Sequence, residues 1–222
     1  MIRKGVIFDM DGVIVLTEAA HWQSWLAAAK PRGVELKYET FLSCFGRVNR
    51  DCIRILFGPQ IPPAESDEIA EAKEAAFREI IRANVPLAPG IGEVLRDLKS
   101  RGIRIAVGSS APPENVNLVL DGGNLRSLFD AAVNGSEVQR GKPAPDVFLI
   151  AAKRIGVDPG DCAVIEDAPT GIAAAVAAGM LPVGVATTHT AGQLKEAGAK
   201  IVSAQPADIL TNDFFAAMGL AP

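Results

Sequence analysis

Short apolar runs recur along the chain, most of them closed by an acid, a glycine or a small polar residue. Gly5-Val6-Ile7-Phe8 is the first, and similar runs stand at Ile103 to Val107, Ala131 to Val133, Cys162 to Ile165 and Leu181 to Val185. Runs this short and this uniformly apolar predict strands buried on both faces, as in a parallel sheet. Between them the apolar positions change to helical spacing. Val94, Leu95 and Leu98 share a face within Ile91 to Arg101, Asn115 to Leu120 follows, and then come Val147, Phe148, Ala151 and Ile155. Strand and helix alternating from about residue 87 onward predict an open α/β sheet.

The stretch from about Thr17 to Asn84 breaks this alternation. It has helical periodicity, no convincing strand, and ends at the hinge-like Pro86, Pro89 and Gly90. The economical reading is a helical insert after the first strand, with 17–86 as one unit and 1–16 plus 87–222 as the other. In its last helix, about Glu65 to Arg82, a stripe of Ile69, Ala72, Ala76, Phe77, Ile80 and Ile81 forms. Lys73 lies four residues from both Ile69 and Phe77, on or beside the inward face. In the first helix His21 shares a face with Trp22, Trp25 and Leu26. Either polar residue reads as an ordinary occupant of a helix interface or as a group aimed at a site.

Composition narrows the setting. With 222 residues, 49% hydrophobic and 22% charged, the chain can bury the core of one domain with a smaller insert, which excludes disorder for most of it. Lys plus Arg number 22 against 26 Asp plus Glu, a net charge of -4, so the basic excess of a nucleic-acid binder is missing and no nucleic acid is expected as partner. Cys44, Cys52 and Cys162 are odd in number and have no metal-like spacing, so they read as reduced thiols of a cytoplasmic protein. Asp9 and Asp11 interrupt the apolar start, so no export signal is expected. The uncharged stretch from Ala168 to Leu194 is long enough to span a bilayer. Gly171, Gly179, Pro182, Gly184 and Thr187-Thr188-His189-Thr190 punctuate it, so it predicts a helix, a turn, a strand and a loop, and no membrane partner.

Four polar stations follow the predicted strands. The first is Asp9-Met10-Asp11-Gly12-Val13, where two carboxylates so close together suggest a divalent metal or paired acid work. The same residues also read as a hairpin, since Asp11-Gly12 between Val6-Ile7-Phe8 and Val13-Ile14-Val15 suits a type I′ turn. The second station is Gly108-Ser109-Ser110, whose hydroxyls can bind a phosphate at a helix N-terminus or simply cap it. The third is Lys142 in Gly141-Lys142-Pro143-Ala144-Pro145-Asp146, able to neutralise a phosphoryl oxygen or screen a carboxylate, or else a solvated loop lysine. The fourth is Glu166-Asp167, followed by the small residues Ala168, Gly171, Ala173 and Ala174, and reads as a metal site or a helix cap. In an open α/β sheet the carboxyl ends of the strands face one crevice, where all four can meet. Acids for Mg²⁺, a hydroxyl and a lysine for phosphate, and a spare carboxylate for proton transfer describe phosphoryl chemistry.

With these stations in order, the sequence resembles the haloacid dehalogenase superfamily, in its β-phosphoglucomutase-like branch with a helical cap after the first strand. The resemblance covers nearly the whole chain and implies a Rossmann-like core with the cap closing over the substrate. Carried over by position, it implies Asp9 as nucleophile forming an aspartyl-phosphate and Asp11 as the acid and base. It implies Mg²⁺ held by the Asp9 carboxylate, the Asp11 main-chain carbonyl and Asp167, with Glu166 as ligand or close support, and a phosphoryl group held by Ser109, Ser110 and Lys142. In the cap, His21, Trp25, Gly46 and Lys73 fall where related sugar-phosphate enzymes have similar residues. Gly46-Arg47-Val48-Asn49-Arg50 resembles their specificity loop, making Arg47 and Arg50 candidate substrate contacts.

Three departures from the mutase pattern stand out. Leu16 replaces the usual acid before Thr17, the arginines fall one and four residues after Gly46 rather than three, and Glu74 follows Lys73 where mutases tend to have Asn. The expectation is therefore a Mg²⁺-dependent phosphatase of a small phosphorylated metabolite, a sugar phosphate, acting as a monomer or weak oligomer, with a phosphomutase as the alternative. A phospho-acceptor module of the response-regulator kind fits neither the length nor the insert. A serine hydrolase lacks its G-x-S-x-G elbow.

Overall fold

The computed structural model describes residues 4–221. Six parallel strands form one sheet in the order β3-β2-β1-β4-β5-β6. These are β1 (Gly5–Phe8), β2 (Arg104–Gly108), β3 (Ala131–Val133), β4 (Cys162–Glu166), β5 (Leu181–Val185) and β6 (Ile201–Ser203). β1 lies in the middle, with Val6 paired to Ile105 on one side and Ala163 on the other. That placement disposes of the hairpin, because both neighbours of β1 run parallel to it and come from far along the chain. Gly12 does turn the chain, at φ +79°, but Val15 then makes only single bridges, to Asp11 and Leu87.

Alternate residues of each strand face opposite sides of the sheet, and each side is covered by helices. Val6, Phe8, Ile105 and Val107 pack with Val94, Leu95 and Leu98 of α5 (Ile91–Ser100), Val116 and Val119 of α6 (Pro113–Gly122), and Phe214 of α10 (Asn212–Ala217). Ile7, Ala106 and Val164 pack with Phe148 and Ala151 of α7 (Asp146–Ile155) and Ala174 and Ala175 of α8 (Pro169–Ala177). The short α9 (Ala191–Glu196) precedes β6. This is the open α/β sheet that the pattern predicts and the Rossmann-like core that the resemblance implies, enlarged by β6. A three-residue strand with every residue half-buried shows no apolar run to announce it.

Four helices intervene between β1 and α5: α1 (Glu18–Ala29), α2 (Tyr38–Cys44), α3 (Asn49–Leu56) and α4 (Pro63–Ile81). They enclose a core of their own, built from Trp25, Ala28, Phe41, Cys44, Phe45, Cys52, Ile53 and Ile69. The buried line of α4 is Ile69, Lys73, Phe77 and Ile81 with Glu74 alongside, whereas Ala72 and Ile80 face solvent. The expected stripe was too wide because α4 meets its neighbours along a narrow seam, which residues four apart occupy. Leu26 of α1 is likewise exposed, while His21 and Trp25 are buried. The chain leaves and re-enters the core by two adjacent connections. Leu16 N–H donates to the Pro86 carbonyl at 2.8 Å and Ala88 N–H to the Ile14 carbonyl at 2.9 Å. Among the described residues no helix is long and apolar enough to cross a membrane.

Candidate active site

All four polar stations lie at the carboxyl end of the sheet. Asp9 N–H donates to the Ile165 carbonyl at 2.9 Å and Ser109 N–H to the Val133 carbonyl at 3.0 Å, so the strand ladders continue into the stations themselves. Lys142 arrives from the loop between β3 and α7 and is 1% exposed. Its Nζ lies 2.8 Å from Asp9 Oδ1 and 2.6 Å from Glu166 Oε1. Burial disfavours the ammonium, but the two carboxylates outweigh it and hold Lys142 above its ordinary pKa.

Small residues let the acids come together. Glu166 Oε2 accepts the N–H groups of Asp167 and Ala168, each at 2.8 Å. A Cβ on Gly171 would fall 1.7 Å from Glu166 Oε1, and one on Gly12 would fall 1.8 Å from Asp167 Oδ2. Thr187 donates to the Gly12 carbonyl at 2.6 Å, and the Thr188 hydroxyl donates to Asp167 Oδ2. Asp167 Oδ1 is buried with no hydrogen-bond partner.

Asp9, Glu166 and Asp167 offer ligand atoms within 4.8 Å of one another. Burial raises the Asp9 carboxyl to about 8, against the pull of Lys142. It also carries Asp167 well above the usual carboxylate range, helped by the charges of Glu166 and Asp9. With all three buried carboxylates ionised, one ammonium would leave an excess of negative charge that a divalent cation would balance. The donors are hard oxygens and one Asp167 oxygen is unclaimed, so the residues present fit Mg²⁺.

Asp11 is held by a different set of partners. Its Oδ1 accepts the Thr17 hydroxyl at 2.5 Å and lies 2.9 Å from His21 Nε2. His21 Nδ1 lies 2.9 Å from Lys73 Nζ. An ammonium has donors only, so Nδ1 accepts and Nε2 carries the proton given to Asp11. Burial works to raise the Asp11 pKa, but His21, Thr17 and the charge of Lys73 outweigh it and hold the carboxyl below its usual range. Phe77 stacks on the His21 ring with centroids 4.0 Å apart, fixing its plane. Lys73 also donates to Glu74 Oε1 at 2.7 Å, and Asn49 Nδ2 donates to the same oxygen at 2.8 Å.

A cavity of about 480 Å³, counted to its open mouth, separates the two halves of this arrangement. Asp9, Asp11, Ser110 and Ala111 line it from the core, and His21, Trp25, Phe41, Phe45, Gly46, Arg47, Lys73 and Glu74 line it from the helical insert. Gly46 has φ +82°, and a Cβ there would press on Ala168 at 3.2 Å, so its bareness lets the insert's loop approach the core. Arg47 has a buried Nε without a partner. Arg50 is elsewhere: it is exposed, donates to the Gln139 carbonyl at 2.6 Å and does not line the cavity. Ser109, Lys142, Glu166 and Asp167 are buried and do not line it either; Ser109 Oγ accepts the Ala111 N–H at 3.0 Å.

Residue patterns missed four participants. Thr187 and Thr188 follow the β5 run just as the other stations follow theirs, a signal that was there to read. Thr17 and Asn115 carried none, because what defines each is a partner in the other unit.

A parallel sheet with a helical insert over a crevice of acids, a lysine and serines defines a class of phosphoryl-handling enzyme folds, and the chain matches one of them. The family described as haloacid dehalogenase-like hydrolase matches residues 3–179, and the chain belongs to it. The β-phosphoglucomutase of Bacillus subtilis is 35% identical over 189 residues, covering 82% of this chain and 83% of that protein. A phosphorylated carbohydrates phosphatase of Thermotoga maritima is 31% identical over 214 residues, covering 93% of this chain and 96% of that one. The crystal structure of a β-phosphoglucomutase from Clostridium difficile superposes with a TM-score of 0.87 at 29% identity, over 99% of this chain and 98% of that one.

Proposed function

We propose that the chain is a Mg²⁺-dependent phosphohydrolase of a small phosphorylated metabolite of the sugar-phosphate class, working through an aspartyl-phosphate on Asp9. The observation that carries this reading is the division of labour between Asp9 and Asp11. Both line one cavity, yet Asp9 is held by Lys142 and Asp11 by His21 and Thr17. One is placed to attack and the other to move a proton, as a two-step displacement needs. Lys142 holds Asp9 in position from behind, and Ser110 lines the same end of the cavity, where its hydroxyl can meet the transferred phosphoryl oxygens. Mg²⁺, held by Asp9, the Asp11 carbonyl and Asp167 with Glu166 in support, would neutralise phosphoryl charge and keep Asp9 ionised. Once it has taken up a proton, Asp11 gives it to the leaving oxygen as Asp9 attacks phosphorus, and the carboxylate so formed withdraws a proton from the water that cleaves the aspartyl-phosphate. Residues 17–86 serve as the cap, and Arg47 is the cap cation that meets the leaving group.

Hydrolysis is favoured over mutase activity because the Lys73 ammonium is already engaged by Glu74 and His21, leaving Arg47 to face a second phosphate alone. The β-phosphoglucomutase relatives keep the mutase as the second reading. Incubation with Mg²⁺ and a panel of sugar phosphates, including β-glucose 1-phosphate with a trace of the 1,6-bisphosphate, tests both. Free phosphate without glucose 6-phosphate is the expected result. Glucose 6-phosphate without free phosphate overturns it in favour of the mutase.

A further inference from the structure

Asn115 sits in the first turn of α6 on the core and is fully buried. It does not cap that helix: the N-cap position is Pro112, and no side chain bonds there. Both ends of its amide go instead to α4 of the cap. Nδ2 donates to Glu74 Oε2 at 2.6 Å, and Oδ1 accepts from Arg78 at 3.2 Å. Asparagine is a poor helix former, and a buried amide is costly unless paired, so this residue gains its place through those two bonds.

Glu74 is in turn saturated. Its oxygens accept Lys73, Asn49 and Asn115, and it is only 6% exposed. We propose that Asn115 is a positioning residue that latches the cap to the core through Glu74 and thereby sets Lys73, and with it His21, against Asp11. The inference rests on the phosphohydrolase reading, in which Asp11 protonates the leaving oxygen. Separating α4 from α6 would strip Glu74 Oε2 of its donor, free Glu74 and the Lys73 it anchors to turn, and release the His21 hydrogen bond that orients Asp11. Closure of the cap and the orientation of Asp11 toward the leaving oxygen are then one event.

A role confined to stability and a role in setting Asp11 differ in one respect. The first lowers turnover of every substrate alike, whereas the second penalises substrates whose leaving group needs a proton. The test compares p-nitrophenyl phosphate, whose phenolate leaves unaided, with a primary alkyl phosphate. Asn115→Asp places an oxygen where Glu74 expects a donor. It is expected to lower kcat/KM roughly tenfold or more for the alkyl phosphate and less than about threefold for p-nitrophenyl phosphate. Joining it with Glu74→Gln exchanges the acid and the amide, which restores a donor facing an acceptor and recovers most of the loss. Equal losses on both substrates, no loss on either, or a double variant no better than the single one overturns the proposal.

If Asn115→Asp does not fold, the double variant decides: recovery of folding and alkyl hydrolysis supports the latch, and failure to recover overturns it. If the parent protein hydrolyses no phosphate ester, the phosphohydrolase reading fails by itself. The latch is then judged by solution X-ray scattering, where a larger radius of gyration for Asn115→Asp supports it and an unchanged one overturns it.

Discussion

Asp9 and Asp11 are two residues apart and have no hydrogen-bond partner in common: Lys142 serves the first, Thr17 and His21 the second. Asp9→Asn keeps the shape of the side chain and removes the nucleophile, so phosphate release should fall to background while the melting temperature changes little. A steady-state assay beside a thermal melt checks both halves. Gly171 shows how a residue without chemistry can decide a site. A Cβ there lands inside the Glu166 carboxylate, so Gly171→Ala must move Glu166 off Lys142 or push α8 from the sheet. The expected cost is about 1–3 kcal/mol in a denaturant titration, together with a weaker response of activity to Mg²⁺.

At the level of elements, the first five strand runs and the helices between them were legible because buried strands leave almost no polar residues to confuse the pattern. β6 was not, being half-buried throughout, and the face of α4 was drawn too wide. In both cases burial is set by a neighbour that the local sequence does not mention. The four stations were visible because each follows an apolar run, whereas the Glu74 to Asn115 contact joins residues forty-one positions apart. α4 also carries a pH dependence. Burial works against ionisation of Glu74, but Lys73 and His21 overrule it and hold the carboxyl below its usual range. Its ionised form therefore adds stability above the unfolded-state pKa, and that contribution disappears as pH falls through the lower folded value. Glu74→Gln should flatten the acid limb of a stability profile measured by urea melts from neutral pH downward, and should leave the alkaline limb unchanged.

Across the whole molecule, cap and core touch at separate points around the cavity. Gly46 approaches Ala168, Val48 stands where a Cβ on Gly141 would meet it, Arg50 reaches the Gln139 carbonyl, and Glu74 meets Asn115. The two arginines of one loop thus divide, Arg47 toward the cavity and Arg50 toward the rim. Arg47→Ala should raise KM roughly tenfold for a sugar phosphate, the worth of a charged hydrogen bond. Arg50→Ala should leave KM within about twofold, since an exposed contact contributes little. Steady-state kinetics on both variants with one substrate separates the two sites.

The paired connections at Leu16 and Pro86 give the architecture a modular character. Departure and return are joined by a hydrogen bond of 2.8 Å, so the sheet is interrupted topologically but not geometrically. A tight turn could join those two points without straining β1, and the sheet would never register what had been removed. A lineage could therefore exchange one lid for another, or lose it, while the acids beneath stayed in register. What changes in such an exchange is the size of molecule admitted and how much bulk water comes in with it.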